Sequence, residues 1–317
     1  MSLIKRINPF VKSTNDTGFG SNANSQAGRF LNKDGSFNVV KKGAPLKQRV
    51  SIYYNMLTMP RWEFMLIIFI AFIFTNLLFS FFYLMLDESE LVGIVASTHA
   101  ERFKEIFFFS AQTLTTVGYG RINPVGYSAS VIASIEALTG FLLFAIATGL
   151  IYGRFSRPMA YLNFSTNALV SPYMNGTAIM FRFVSYKNNH TLTDVEVKVT
   201  LGLTLTENDK PVFKFYQLPL ERNRVDSLMM NWTIVHPIDE QSPLSGLTKE
   251  DLEAADAEIY VLVRGFDDIF SNTVLARCSY TFNEIIFNAK FVPMYHESED
   301  NTTTILELNK LNDYVTL

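Results

Sequence analysis

Five consecutive residues, Thr116, Val117, Gly118, Tyr119 and Gly120, have the types and spacing to bind a dehydrated cation. Main-chain carbonyls, not side chains, would be the ligands. Turning successive carbonyls of an extended strand to one side needs backbone angles that a Cβ resists, and glycine at the third and fifth places removes that resistance. A one-sided row of oxygens, with the Thr116 hydroxyl at its inner end, can replace the hydration shell of K+. One strand supplies a quarter of such a cage, so the inference includes three identical partner subunits. The bland alternative is a glycine-rich external turn. A given five-residue string arises by chance only roughly once in several million positions.

Such a strand needs elements to hold it at mid-membrane depth. Residues 62–86 form an apolar run with one charge, Glu63, and Trp62 and Tyr83 near its ends, longer than the roughly 20 residues a bilayer crossing takes. Residues 127–156 form a second span, with Glu136 its acidic residue and glycines at 140, 149 and 153. Residues 103–115 are long enough for about three helical turns, a pore helix whose negative end points toward the filter. Gly140, near the middle of the second span, permits either a helix bend or close packing. Phe144 and Tyr152, eight residues apart, share a face. If that face lines an inner cavity, four Tyr152 rings make a constriction that gates by dewetting. Glu136 is a functional candidate by its place inside the membrane, with a hydrogen bond behind the filter as the structural reading.

Charge sets the orientation. Residues 1–61 hold ten Lys or Arg and two Asp, whereas 87–126 hold five acidic and three basic residues. The positive-inside rule places both termini in the cytoplasm and this loop outside. Residues 47–59 read as an amphipathic interfacial helix, with Val50, Tyr53, Tyr54 and Leu57 on one face. Lys47, Arg49, Arg61, Arg154 and Arg157 would cluster at the inner leaflet, as anionic-lipid contacts or as ordinary positive-inside bias.

The flanking chain is different in character. Residues 1–28 are polar and aperiodic, a mobile tail. Within 29–46, Asp34-Gly35 signals a turn and 37–40 a short strand that would add to a sheet edge. The membrane part is 60–158. From 159 to 298, short alternating runs at 177–186, 194–205, 212–220, 229–238, 257–266 and 273–282, with weaker ones at 291–296 and 302–308, predict an immunoglobulin-like β-sandwich. Residues 247–255 allow one helix, with Thr248 as N-cap and Asp251 three places on. Residues 299–317 form a terminal strand and tail. The net charge of −3 gives no field for nucleic acid, and the one cysteine, Cys278, excludes an intrachain disulfide. The first apolar run is too long for a signal peptide. His99, His190, His236 and His296 are scattered without metal-ligand or catalytic spacing, so neither an enzyme nor a cofactor is expected. A membrane-anchored β-sandwich binding protein is the competing class.

Taken together, the two spans, the filter string and the β domain resemble inward-rectifier potassium channels, and more closely their prokaryotic branch. Supporting strings are 29–35 (RFLNKDG), 150–158 (LIYGRFSRP), 232–244 (WTIVHPIDEQSPL), 276–280 (ARCSY) and 283–285 (NEI). The resemblance implies a homotetramer in the cell membrane whose β domains extend the ion path. It also implies a second constriction at an apex loop of Gly265, Phe266, Asp267, Asp268, Ile269, Phe270, Ser271, Asn272, Thr273 and Val274. Departures are equally specific. Strongly rectifying relatives carry a carboxylate where this chain has Phe144, and often another near the apex where it has Arg264. That combination predicts weak polyamine-type rectification. The family's pore-helix glutamate appears as Gln112, so a brace with Arg121 must be built differently. Met159-Ala160 follows Pro158 where lipid-activated relatives continue with lysines, and no external cysteines flank the filter.

Overall fold

The computed structural model describes residues 13–14, 29–43, 45, 51–188, 190–207 and 210–317. Most of the expected tail, and Lys47 and Arg49, lie outside the described residues. The chain divides into two compact units, residues 42–157 and residues 1–41 with 158–317.

In the first unit Ser51 caps a helix Ile52–Thr58 by accepting from the Tyr54 amide at 3.3 Å. Pro60, which has no N–H to leave unpaired, precedes the first span Arg61–Leu84. A two-residue strand β1 (Leu91–Val92) pairs antiparallel with β2 (Asn123–Pro124). The pore helix runs His99–Leu114, starting four residues before the expected 103. Its start is fixed by a capping box: the Thr98 hydroxyl accepts from the Glu101 amide, and the Glu101 carboxylate accepts from the Thr98 amide. The second span, Tyr127–Phe155, is continuous.

The second unit is a sandwich of two five-stranded sheets. Its strands are β3 (Leu162–Phe164), β4 (Ala168–Tyr173), β5 (Gly176–Ser185), β6 (Leu192–Glu207), β7 (Lys210–Gln217), β8 (Arg224–Leu228), β9 (Trp232–Ile238), β10 (Glu258–Asp267), β11 (Asn272–Thr281) and β12 (Ile285–Phe287). One sheet runs β11-β10-β6-β7, with β8 also on β6; the other runs β12-β4-β5-β3, with β9 also on β5. Alternation along β6 buries Val195, Val197, Val199, Leu201, Leu203 and Leu205, each worth about 1.5–3 kcal/mol of apolar transfer. These meet Phe181, Phe183, Val261, Val263 and Tyr280 in one core. Cys278 lies fully buried in that core, and burial pushes its thiol above the ordinary value. The expected helix forms as Lys249–Ala254, with Thr248 and Asp251 in a capping box.

Three expectations need correction. The run at 291–296 is split between two short strands, β13 (Ala289–Phe291) and β14 (Tyr295–Glu297), which pair with β16 (Tyr314–Thr316) and β15 (Thr304–Leu306) respectively. Strands β3, β4, β8 and β12 were not expected. β4 carries Ser171-Pro172, and β8 shows mostly exposed polar residues, so neither advertises a strand. Finally, Phe37 bridges to Leu31 around the Asp34-Gly35 turn, and Val39 and Val40 are exposed. Glycine is needed in this turn because residue 35 has φ +80° and a Cβ there would lie 2.8 Å from the Arg277 carbonyl oxygen. Leu31 packs on Phe213, Phe215 and Tyr260, and Arg29 pairs with Glu284 at 2.7 Å.

Two buried polar groups organise this unit. Arg182 is 2 % exposed, and its guanidinium donates to the carbonyls of Leu311 (2.8 Å), Val292 (2.6 Å), Asp313 (3.2 Å) and Lys310. It also stacks on Phe291. His236, in the 232–244 string, donates from Nδ1 to the Pro219 carbonyl and accepts at Nε2 from the Ser242 hydroxyl at 2.7 Å. Burial lowers its pKa from 6.5, against opposing effects of the Pro219 bond and Asp239. That arrangement suits a neutral ring and is structural.

Candidate ion-conduction site

Residues 116–120 follow directly from the C-terminal end of the pore helix. Thr116, Gly118 and Gly120 have φ of +58°, +51° and +81°, while Val117 and Tyr119 are not among the positive-φ residues. Left-handed angles at alternate residues are what a one-sided row of carbonyls requires. Nothing lies within 4 Å of a Cβ built on Gly118 or Gly120, so backbone angle, not space, demands glycine there. Thr116 has a branched Cβ in the same left-handed region, a costly state that its surroundings must hold. They do so through main-chain bonds: Thr116 N–H donates to the Thr113 carbonyl at 3.0 Å, and Val117 N–H to the Gln112 carbonyl at 2.9 Å. Gln112 therefore contacts residues 117 and 118 through its backbone carbonyl. At the outer end the Asn123 amide donates to the Gly120 carbonyl at 2.8 Å.

Arg121 forms an ion pair with Glu105 of the pore helix, so the outer brace uses a residue seven places before Gln112. Glu136 is fully buried and accepts from the Tyr83 hydroxyl at 2.7 Å and from the Ser110 hydroxyl. Gly140 abuts the pore helix: a Cβ there would lie 1.9 Å from the Leu114 carbonyl. Close packing, rather than a bend, is what this glycine provides.

An apolar cavity of about 620 Å3 is lined by Thr115, Thr116, Gly140, Phe144 and Leu150 among others. Phe144 and Tyr152 are both exposed in the single chain, at 74 % and 73 %. At the end of the second span Arg154 donates to the carbonyls of Met56 (2.6 Å) and Met59 (2.7 Å) and lies over the Phe64 ring. Arg157 stands 5.9 Å from the Tyr54 ring. Arg61 opens the first span. Arg154 thus caps the Ile52–Thr58 helix, and its donors are committed to those carbonyls.

In the β unit, the expected apex loop is mostly strand: Gly265, Phe266 and Asp267 end β10, Asn272, Thr273 and Val274 begin β11, and only 268–271 turn. Asp267 is fully buried, pairs with His190 Nε2 at 2.9 Å, and accepts from the amides of Ile269 and Phe270. Burial pushes this carboxyl up, but those three donors outweigh it and hold it below the usual value. Arg264 is exposed on β10, in register with Glu196 and Leu275. With Arg224 and Asp194, themselves 2.7 Å apart, it lines a cavity of about 550 Å3.

Comparison with known proteins settles the family. Residues 162–316 match the inward rectifier potassium channel C-terminal domain, and residues 64–157 match an ion channel domain. The chain is 32 % identical over 287 residues to inward rectifier potassium channel Kirbac3.1 of Paramagnetospirillum magnetotacticum, covering 90 % of this chain and 95 % of that one. It belongs to the inward-rectifier potassium channel family. Mouse inward rectifier potassium channel 4 is 28 % identical, over 89 % of this chain and 73 % of its own length. Human inward rectifier potassium channel 18 is 28 % identical, over 86 % and 67 %.

The potassium channel thus has two membrane spans and a β-sandwich, and some of its site residues escaped the sequence reading. Asn76 and Ser80 read as part of an apolar run and Tyr83 as an interfacial aromatic, whereas the structure buries Tyr83 completely against Glu136. The spacing of Asn76, Ser80 and Tyr83, four and three residues, puts them on one helix face, and all three are buried. Glu105 and Asn123 gave no comparable signal, because each is defined only by what the folded filter brings near it.

Proposed function

We propose that the carbonyls of residues 116–120 form one quarter of a K+-selective filter, completed by three identical subunits. The alternating left-handed backbone at Thr116, Gly118 and Gly120 carries this reading. Ions pass down a fourfold axis through the cavity beside Phe144, a gate at Tyr152, and a second gate at the 265–274 hairpin. Gln112, Arg121 and Glu136 support the filter, through a carbonyl, an ion pair and a buried hydrogen bond. Phe144 offers no charge to a polyvalent blocker, and a ring of four Arg264 side chains repels one, so rectification by polyamines is weak. The protein sits in the plasma or inner membrane with both termini cytoplasmic. Arg61 and Arg157 face anionic headgroups, worth about 1 kcal/mol each.

Flux through purified protein in liposomes tests the filter. With K+ or Na+ as the only permeant ion, barium-sensitive K+ flux without Na+ flux is expected. Equal passage of both ions overturns the selective cage. Arg264→Glu should strengthen voltage-dependent block by spermine; unchanged block removes Arg264 from the ion path.

A further inference from the structure

Most hydroxyls in the membrane unit bond back to their own helix, as Thr75 does to Ala71 and Thr139 to Ile135. One buried group does otherwise. Glu136 of the second span, Ser110 of the pore helix, and Asn76 and Tyr83 of the first span are each fully buried and meet in one place. Tyr83 donates to Oε2 of Glu136, and Ser110 to Oε1. Ser110 Oγ also lies 3.1 Å from Asn76 Oδ1, but its one proton goes to the carboxyl, the stronger acceptor. A carboxyl away from water is expensive unless donors satisfy it, and an apolar residue would fill the same space without that cost.

Position shows what the carboxyl does. Ser110 and Leu114 are four residues apart on the pore helix, and Glu136 and Gly140 are four apart on the second span. Ser110 bonds Glu136, and the Leu114 carbonyl rests on Gly140. The two helices are thus joined by two rungs, one helical turn (about 6 Å along the axis) apart. A single rung would let the pore helix pivot, whereas two fix its rotation and its height. The filter hangs from the end of that helix by bonds to Gln112 and Thr113.

We infer that Glu136 is a positioning residue for ion selection: with Ser110 it forms the upper rung that holds the pore helix, and through it the filter, to the second span. Tyr83 aims the carboxyl from the first span. This rests on residues 116–120 being the filter. Movement of the second span above Gly140 is then transmitted to the filter, and bending below Gly140 is not.

The test measures the K+-to-Na+ flux ratio and the barium concentration for half-block in liposomes, beside tetramer yield. Ser110→Ala and Glu136→Leu should each lower the ratio several-fold and shift barium block, and the double variant should be no worse than either. Glu136→Gln, which keeps an acceptor for Ser110, should lose less than Glu136→Leu. Ser110→Cys, near the same volume with a weaker donor, carries the test if Ser110→Ala does not assemble. A selective wild type whose Ser110 variants keep its ratio and block overturns the rung. So do losses that multiply in the double variant. A wild type that passes both ions overturns the filter reading itself, and the rung with it.

Discussion

Two sets of main-chain carbonyls in this chain invite comparison: one is bonded to a cation carried on a side chain, and the other, in our proposal, serves a cation that is not tethered. In the β-sandwich, Arg182 carries its own guanidinium into a buried site and hands it to four carbonyls of the C-terminal segment. In the membrane unit, the proposed filter residues 116–120 alternate in backbone hand, and nothing lies within 4 Å of a Cβ built on Gly118 or Gly120. A tethered cation makes a lock, because leaving would strand both charge and carbonyls. An untethered one makes a path, provided that each site holds the ion loosely enough to release it. Arg154 is intermediate: tethered, half-exposed, and serving two carbonyls at a helix end.

The sharpest way to break the contrast is at Gly118. A Cβ in its left-handed conformation costs about 1–2 kcal/mol and favours rotating the carbonyl away. Gly118→Ala should therefore abolish K+ flux in liposomes while leaving the tetramer on size exclusion unchanged. Arg182→Met makes the complementary cut. It leaves several buried carbonyls unpaired, so it should destabilise the β unit by about 3 kcal/mol or more. Limited proteolysis should then release the C-terminal segment, whereas in the wild type that segment stays protected.

Arg154→Gln should act more gently, because water can replace the lost donors. We expect about 1 kcal/mol, read as faster amide exchange in the Ile52–Thr58 helix with no change in the β unit. The smallest effect is at His236, which holds the Pro219 carbonyl with a neutral ring. Its pKa in the folded chain lies below 6.5, so the unfolded chain binds the proton first. The stability it contributes is complete above pH 6.5 and falls as pH drops below that value, by at most about 1.4 kcal/mol per pH unit. Thermal unfolding of wild type between pH 7.5 and 5.5 should show this slope, and His236→Gln should flatten it.

The family and both spans were legible because their signals are local: a five-residue string, and long apolar runs. The Thr248–Asp251 capping box was equally plain. Arg182 was not, since in the run Met180-Phe181-Arg182-Phe183 it looks like any outward polar residue of a strand. Its partners are carbonyls more than a hundred positions away, and a carbonyl has no letter in a sequence. The same holds for the 265–274 hairpin, where the expected strands 257–266 and 273–282 each reach one residue further toward the turn, to Asp267 and Asn272, and the bond from Asp267 to His190 joins positions 77 apart. Arg154 was legible as a basic residue near the membrane, but not as a helix cap, because that depends on where Met56 and Met59 end.

Cys278 has a practical consequence. It is the chain's one thiol, buried in the sandwich core, with burial suppressing the thiolate that reacts with labels. The native protein is therefore silent to alkylating probes without any background substitution. A cysteine placed at Tyr152 or Ile269 becomes the sole addressable position in each subunit. In a tetramer, four equal dyes or spin labels would then report the two proposed gates as distances across the symmetry axis.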